Sequence, residues 1–195
     1  ASMHLILQKE DSEDSRRLRA ELFRVEQYVQ MVLCFLRLDS DFTDYVIKEY
    51  RVDDIIRPAV RRLAPQFIMK KLSLEYEQTD EVALTDEKWL SFVVEQVLSN
   101  AVKYTSAGSI SIKCDGDRLV ISDTGIGIAA EDLPRIFDKG YTGFNGRADR
   151  KASGIGLYLC RRICDNLGHS IKAESVPGHG TTIIIGLERD KLEVE

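Results

Sequence analysis

Over about residues 48–190 the sequence predicts an α/β sandwich, a mixed sheet backed by helices, with a helical stalk in front of it. Three observations carry that prediction. Apolar residues before position 40 recur at helical spacing, whereas from Val52 onward stretches of period two alternate with stretches of period 3.6. Ser109-Ile-Ser-Ile-Lys-Cys and Arg118-Leu-Val-Ile-Ser flank the turn Asp115-Gly116-Asp117 as the arms of a β-hairpin. Glycine-rich turns punctuate the second half, near residues 125, 154 and 178.

Taken in order, Lys9 to Ser15 is a charged turn. Leu18, Leu22, Val25, Val29, Val32 and Leu36 then follow at alternating spacings of four and three. This is a heptad seam on one helix, 15–38, with Arg, Glu and Gln outside, and so narrow a stripe needs a partner helix in its own chain or another. Residues 39–50 break the pattern and read as a linker before a domain spanning 51–190, with 191–195 a tail. Asp53 to Met69 is helical by period, with Pro58 expected near the first turn. Leu72 to Tyr76 and Val82 to Leu84 are strands. Asp86 to Tyr104 reads as an amphipathic helix with an aspartate cap, turning Trp89, Phe92, Val93, Val97 and Leu98 inward. Ile155 to Leu167 is a helix stopped by Gly168, and 169–175 and 180–187 are strands joined at Pro177-Gly178. Asp138 to Ser153 is a Gly-, Asn-, Arg- and Lys-rich loop, long enough to imply a function.

A chain of 195 residues can form one sizeable core and an appendage. A net charge of −5 disfavours nucleic acid as a partner, and Arg57, Arg61, Arg62, Lys70 and Lys71 read as a solvated helix face. Cys34, Cys114, Cys160 and Cys164 form no Cys-x-x-Cys pair, and nothing completes a metal site around Cys160 and Cys164, so packed, reduced thiols are expected. No apolar run approaches the roughly 18–20 residues of a membrane span, and the start is no signal peptide. Ala1-Ser2 ahead of Met3 reads as a cloning remnant, so a larger parent protein is expected.

The motifs point to a nucleotide. No Gly-x-x-x-x-Gly-Lys-[Ser/Thr] is present, which excludes a P-loop. Gly125-Ile-Gly127-Ile-Ala-Ala130 matches the dinucleotide fingerprint, but Pro134 truncates the helix that should open there and no parallel βαβ unit surrounds it. Asp123, at a strand end before two glycines, can instead accept a hydrogen bond from the exocyclic amine of adenine. Asn100, mid-helix beside apolar Val97 and Leu98, is the wrong residue for a core unless partnered, and its amide oxygen suits Mg²⁺ with phosphate oxygens and water completing the shell. Lys103 and Tyr104 on the next turn offer a charge and a hydroxyl. Gly154 and Gly156 open a helix whose first N–H groups and dipole suit phosphate.

These blocks resemble the N, G1, G2 and G3 boxes of the Bergerat-fold ATPases, the superfamily of gyrase, the heat-shock chaperone, mismatch-repair proteins and sensor histidine kinases. Glu-Gln-Val-Leu-Ser-Asn-Ala-Val-Lys-Tyr-Thr (95–105), Asp123-Thr-Gly125-Ile-Gly127-Ile128, Ser153-Gly154-Ile155-Gly156-Leu157 and Gly178-His-Gly180-Thr181 stand in the family's order. Ile136-Phe137-Asp-Lys139-Gly140-Tyr141-Thr142-Gly143 resembles the kinases' F box, and the lid with Gly-Ile-Gly-Leu-Tyr-Leu-Cys is similar to intramembrane-sensing kinases of the bacitracin-resistance type. The resemblance implies a two-layer Bergerat sandwich that binds ATP and Mg²⁺. Asp123 would select adenine with Thr181 holding a water. Gly125, Gly127 and Ile128 would shape the purine slot under Tyr104 and Phe137. Asn100 would hold the metal and Lys103 meet phosphate, while Gly154, Ile155, Gly156 and Leu157 present backbone donors. Lys139, Gly140, Tyr141 and Thr142 would begin a lid over 138–153, with Lys139, Arg147 and Arg150 as its cations.

Gyrase-like members place a general-base Glu four positions before the metal Asn. Gln96 stands there, and Glu95 points about 100° away round the helix, so slow hydrolysis and phosphate transfer to a protein are expected. The kinases' phospho-accepting His precedes an acidic or polar residue and a Pro. His4 has neither, so residues 1–14 look like the end of a first hairpin helix, 15–38 like the second, and the acceptor is absent. His169 and His179 receive no role. The implied partners are a response regulator, a second copy in the whole protein and an antimicrobial-peptide ABC transporter, and the implied setting is the cytoplasmic side of a membrane-anchored protein. The rival readings are a clamp-type ATPase and an ATP-binding module without catalysis.

Overall fold

The computed structural model describes residues 13–38, 45–143 and 153–188, and the chain divides into two compact units, 1–43 and 44–195. In the first, helix α1 (Glu13–Leu38) carries the predicted seam. Its Leu18, Val25, Val29, Val32 and Leu36 stand exposed, while Cys34 and Leu38 are buried. Burial pushes the Cys34 thiol up to about 12, keeping it protonated.

The second unit holds strands β1 (Lys48–Arg51), β2 (Ser73–Tyr76), β3 (Val82–Thr85), β4 (Ser109–Asp115), β5 (Arg118–Asp123), β6 (Ser170–Val176) and β7 (Gly180–Gly186), with helices α2 (Val52–Lys70), α3 (Glu87–Tyr104) and α4 (Gly156–Leu167). Five strands form the main sheet in the order β2-β4-β5-β7-β6, and β1 and β3 form a separate pair. Only β2 with β4 is parallel, the other neighbours running antiparallel. The sheet is therefore mixed, as the alternation predicts, and β5 has an antiparallel neighbour on each side, which leaves the Gly125–Gly127 turn outside any dinucleotide-type βαβ unit.

Period two explains which face is buried. Ile110 and Ile112 on β4, Leu119 and Ile121 on β5, Ile183 and Ile185 on β7 and Ile171 on β6 are all buried. The register sets Ile112 opposite Ile121, Ile121 opposite Ile183, and Ile185 opposite both Leu119 and Ile171, so one face is a continuous aliphatic layer. Helix α3 lies between α2 and α4, and Leu90, Val93, Val94, Val97, Leu98 and Val102 are buried. Trp89 and Phe92, expected inside, are only half-buried. Leu90 takes the inward position, and Trp89 packs on the Tyr45 ring with centroids 5.7 Å apart.

The termini follow local chemistry. Asp86 caps α3, its Oδ1 accepting from Lys88 N at 2.9 Å and Trp89 N at 3.2 Å, while Oδ2 accepts from Val46 N at 2.8 Å. Gly168, at φ 72°, ends α4 in the left-handed conformation. Lys70 does the same service for α3 from outside. Its ammonium reaches the carbonyls of Val102 at 2.5 Å, Lys103 at 3.1 Å and Thr105 at 3.0 Å, at the negative end of the helix.

Three readings are corrected. Residues 48–50, taken as linker, belong to β1, since Lys48, Tyr50 and their neighbours pair with Val82–Thr85. Pro58 sits past the first turn of α2, with Pro65 a further two turns on, so the helix tolerates two missing N–H donors where its exposed side meets water. The basic residues are not merely a solvated face: Arg57 pairs with Asp53 at 2.5 Å, Arg62 with Glu95 at 2.9 Å, and Lys70 with the carbonyls above. Buried Asp53 also accepts from the Tyr76 hydroxyl, tying α2 to β2.

Candidate functional site

At one end of the sheet the aliphatic face turns polar. Continuing each strand by two residues takes β5 from Ile121 to Asp123, β7 from Ile183 back to Thr181, and β6 from Ala173 to Ser175. The register sets Asp123 opposite Thr181 and Thr181 opposite Ser175, so three polar side chains stand in a row on the core face. Burial pushes the Asp123 carboxyl above its ordinary value. The Gly125 N–H, the Thr181 backbone and the Thr105 hydroxyl act the other way by hydrogen bonding to it. The Gly125 bond to Oδ1 is 2.8 Å. Thr105 is fully buried and its hydroxyl has no other partner among the described residues.

The turn after Asp123 must be glycine for reasons of space. A Cβ on Gly125 would lie 2.5 Å from the Tyr104 carbonyl and 2.8 Å from the Asp123 carboxylate, and one on Gly127 would lie 2.2 Å from the Val176 carbonyl. Gly180 is the tightest, with Asp123 O only 1.8 Å from where its Cβ would stand and φ at 97°. Backbone bonds lace the same segments: Ile126 N to Tyr104 O at 3.2 Å, and Gly178 N to Ile126 O at 2.8 Å. Ile128 N donates to Ser175 Oγ at 2.8 Å.

Helix α3 connects this cluster to a second one. Its Tyr104 end touches Gly125, whereas Gln96 abuts α4, its amide nitrogen 2.5 Å from the position a Gly156 Cβ would take. Eight residues separate them, about 12 Å along the axis, and Asn100 is midway. Asn100 is half-buried, and the Lys103 ammonium lies over the Tyr104 ring, 5.0 Å from its centroid. Gly154, at φ 65°, lies against Gly140 and Tyr141, and Gly140 N donates to Gly154 O at 2.9 Å. Backbone thus joins Gly140 to Gly154, on either side of residues 144–152, which lie outside the described residues. Tyr141 donates to Asp132 and has the Arg135 guanidinium 4.4 Å from its ring centroid. Thr142 is half-buried and Lys139 exposed. Among the described residues no side chain caps α4, whose first turn is Gly156 and Leu157 after Ile155.

Not every expected residue joins these clusters. Phe137 is half-buried and faces Arg161 on α4, the guanidinium 6.0 Å from its ring. Arg147 and Arg150 fall outside the described residues, as does His4. Glu95 pairs with Arg62 away from the row, consistent with its position round the helix. His169 is buried with Nε2 2.9 Å from the Thr85 hydroxyl, and His179 is exposed. Sequence reasoning missed Ser175 and Thr105. Ser175 could have been found by running the period-two count of Ile171 and Ala173 one step further.

The donors fit an adenosine nucleotide and a divalent ion. A buried carboxylate with backbone N–H and the Thr105 hydroxyl against it suits a base edge. Among the described residues no three His, Cys, Asp or Glu side chains gather as a metal site, so an ion at Asn100 would draw its other ligands from phosphate and water. No disulfide links the four cysteines, and Cys160 and Cys164 are buried. No helix among the described residues is long and apolar enough to cross a membrane.

The mixed sheet, its helical layer and these glycine turns define an ATP-binding domain. A family model of histidine kinase-, DNA gyrase B- and HSP90-like ATPases matches residues 85–191, and the chain belongs to that family, whose domain binds ATP. It is 34% identical over 188 residues to sensor histidine kinase YxdK of Bacillus subtilis, covering 93% of this chain and 58% of that protein. It is 35% identical over 196 residues to the sensor protein BceS of Halalkalibacterium halodurans, covering 97% and 58%. The chain therefore spans a little over half the length of these relatives. Among solved structures, the Acinetobacter baumannii histidine kinase AdeS has the same fold, with a TM-score of 0.67 at 18% identity over 96% of this chain and 95% of that one. The catalytic domain of histidine kinase ThkA matches with a TM-score of 0.64 at 21% identity, over 74% and 98%.

Proposed function

We propose that this chain is the ATP-binding kinase part of a sensor histidine kinase, delivering the γ-phosphate of ATP to a histidine on a separate segment and from there to an aspartate of a response regulator. The observation that carries the reading is the Asp123 carboxylate, held at the polar end of the sheet by Gly125 N–H with glycine turns packed round it.

In this reading Asp123 accepts from the 6-amino group of adenine, and Gly125, Gly127 and Ile128 form the wall of the base slot beside Tyr104. Asn100 would hold Mg²⁺ through its amide oxygen, and the ion would supply charge neutralisation. Lys103 faces the phosphates, and the N-terminus of α4 at Gly154, Ile155, Gly156 and Leu157 meets them with backbone N–H groups. Residues 138–153, of which 144–152 lie outside the described residues, would serve as the lid expected from the sequence. Transfer then depends on positioning and charge rather than on a nucleophile of this domain. Gln96 cannot take a proton from water, and Glu95 is engaged by Arg62, so hydrolysis is slow and the phosphoryl group is kept for the histidine.

The seam of α1 suits a two-copy helical assembly in the whole protein. Similarity to BceS-type sensors extends the proposal to an envelope signal such as antimicrobial peptides, a transporter partner and membrane anchorage of the whole protein. The test is phosphotransfer: full-length protein with γ-labelled ATP should acquire acid-labile, alkali-stable label, the behaviour of phosphohistidine. Nucleotide binding without such label would favour the non-catalytic module. Brisk phosphate release lost on Glu95→Ala would favour the clamp-type ATPase.

A further inference from the structure

Ser175 lies one strand beyond the residues that the motifs single out, yet three polar atoms surround its hydroxyl. Ile128 N is 2.8 Å away, Gly180 O is 2.7 Å away and Thr181 Oγ1 is 3.0 Å away. A hydroxyl has one proton to give and two lone pairs to receive with. The Ile128 amide can only donate and the Gly180 carbonyl can only accept. Ser175 therefore sends its proton to Gly180 and takes the Ile128 proton on one lone pair. Its second lone pair faces Thr181, and the set is satisfied in one way only, with Thr181 donating to Ser175.

That assignment fixes what Thr181 can offer on its other side. With its proton committed, Thr181 Oγ1 presents lone pairs alone toward the row it shares with Asp123, itself an acceptor. We propose that Ser175 is a specificity-determining positioning residue: by holding the Thr181 proton it makes the base-facing edge, Asp123 with Thr181, acceptor-only. Such an edge receives the 6-amino group of adenine, directly or through a water that donates to Thr181, and repels the 6-oxo group of hypoxanthine or guanine. The inference rests on the nucleotide reading above and adds to it the side chain that sets its base preference. Ser175 also fixes the Ile128 amide, so a purely mechanical role would weaken every nucleotide alike.

The test is equilibrium titration of the 195-residue chain with Mg²⁺-ADP and with Mg²⁺-IDP, whose bases carry a 6-amino group beside a bare N1 and a 6-oxo group beside N1–H respectively. Ser175→Ala releases the Thr181 proton to serve an oxo group, so the preference for ADP over IDP should fall roughly three- to tenfold, one neutral hydrogen bond's worth. Ser175→Thr keeps the hydroxyl and should keep the preference within about twofold. Equal weakening of both ligands by Ser175→Ala, with the ratio unchanged, overturns the inference and leaves the adenine-nucleotide reading standing. A parent chain that binds neither ligand overturns that reading and this inference together. Circular dichroism checks that the variant folds. If Ser175→Ala does not fold, Thr181→Val removes the acceptor itself and must narrow the same ratio, and an unchanged ratio there is equally fatal.

Discussion

Replacing Asp123 by Asn should move binding and stability in opposite directions. The carboxylate is positioned by the Gly125 N–H at 2.8 Å on Oδ1, a bond the Asn carbonyl oxygen can inherit. The Asn amide then faces the adenine amine with a second donor, and a charged acceptor is lost. A hydrogen bond to a charged group is worth about 1.5–3 kcal/mol, so affinity for a non-hydrolysable ATP analogue with Mg²⁺ should drop roughly 10- to 150-fold. Without nucleotide the same change should be neutral or stabilising. Burial holds the Asp123 carboxyl above its ordinary 3.8, so the folded chain keeps this proton to higher pH than the unfolded chain. Its contribution favours folding below the unfolded value and fades as pH rises through the folded one. At neutral pH the ionised group is thus a cost that Asn removes, and the two proteins should converge in stability as pH falls toward 4. Calorimetric titration and thermal melts at pH 4.5 and 7.5 read both effects. Unchanged affinity, or a nucleotide-free variant less stable than the parent at pH 7.5, would refute the reasoning.

Asn100→Ala should weaken binding of the analogue much more with Mg²⁺ than with EDTA, and equal losses would remove Asn100 as the metal ligand. Glu95→Ala breaks one half-exposed ion pair with Arg62, so denaturant unfolding should register under about 1 kcal/mol and phosphate release should stay slow. A marked change in turnover would show that Glu95 reaches the reaction. Gly180→Ala forces a Cβ to within 1.8 Å of Asp123 O at φ 97°, and the strain should cost about 2–4 kcal/mol in urea. Little change would mean that the β5 and β7 ends separate easily.

Alternation and helical period were legible where a single physical cause dominated. The hairpin at Gly116, the Asp86 cap and the Gly168 stop each depend on a few neighbouring residues, and each was found where expected. What the sequence hid was non-local. Lys48 to Arg51 became a strand because Val82–Thr85 supplies its hydrogen bonds, and nothing within residues 39–50 announces that partner. Pro58 and Pro65 inside α2 break a local rule that tertiary packing overrides. At the site, the glycines and Asp123 were readable because close backbone approach allows little else, but Ser175 and Thr105 owe their importance to contacts with other segments, Ser175 with the Ile128 amide and Thr105 with Asp123. Phe137, expected beside the base slot by resemblance alone, has the Arg161 guanidinium 6.0 Å from its ring.

Calorimetric titration of this chain with a non-hydrolysable ATP analogue in Mg²⁺, with a thermal melt beside it, reads nucleotide binding at Asp123 without any further component. Binding should be saturable and one-to-one, should raise the melting temperature of the parent protein, and should weaken at least tenfold in Asp123→Asn. No heat and no thermal shift in the parent protein would rule out a nucleotide site in this domain.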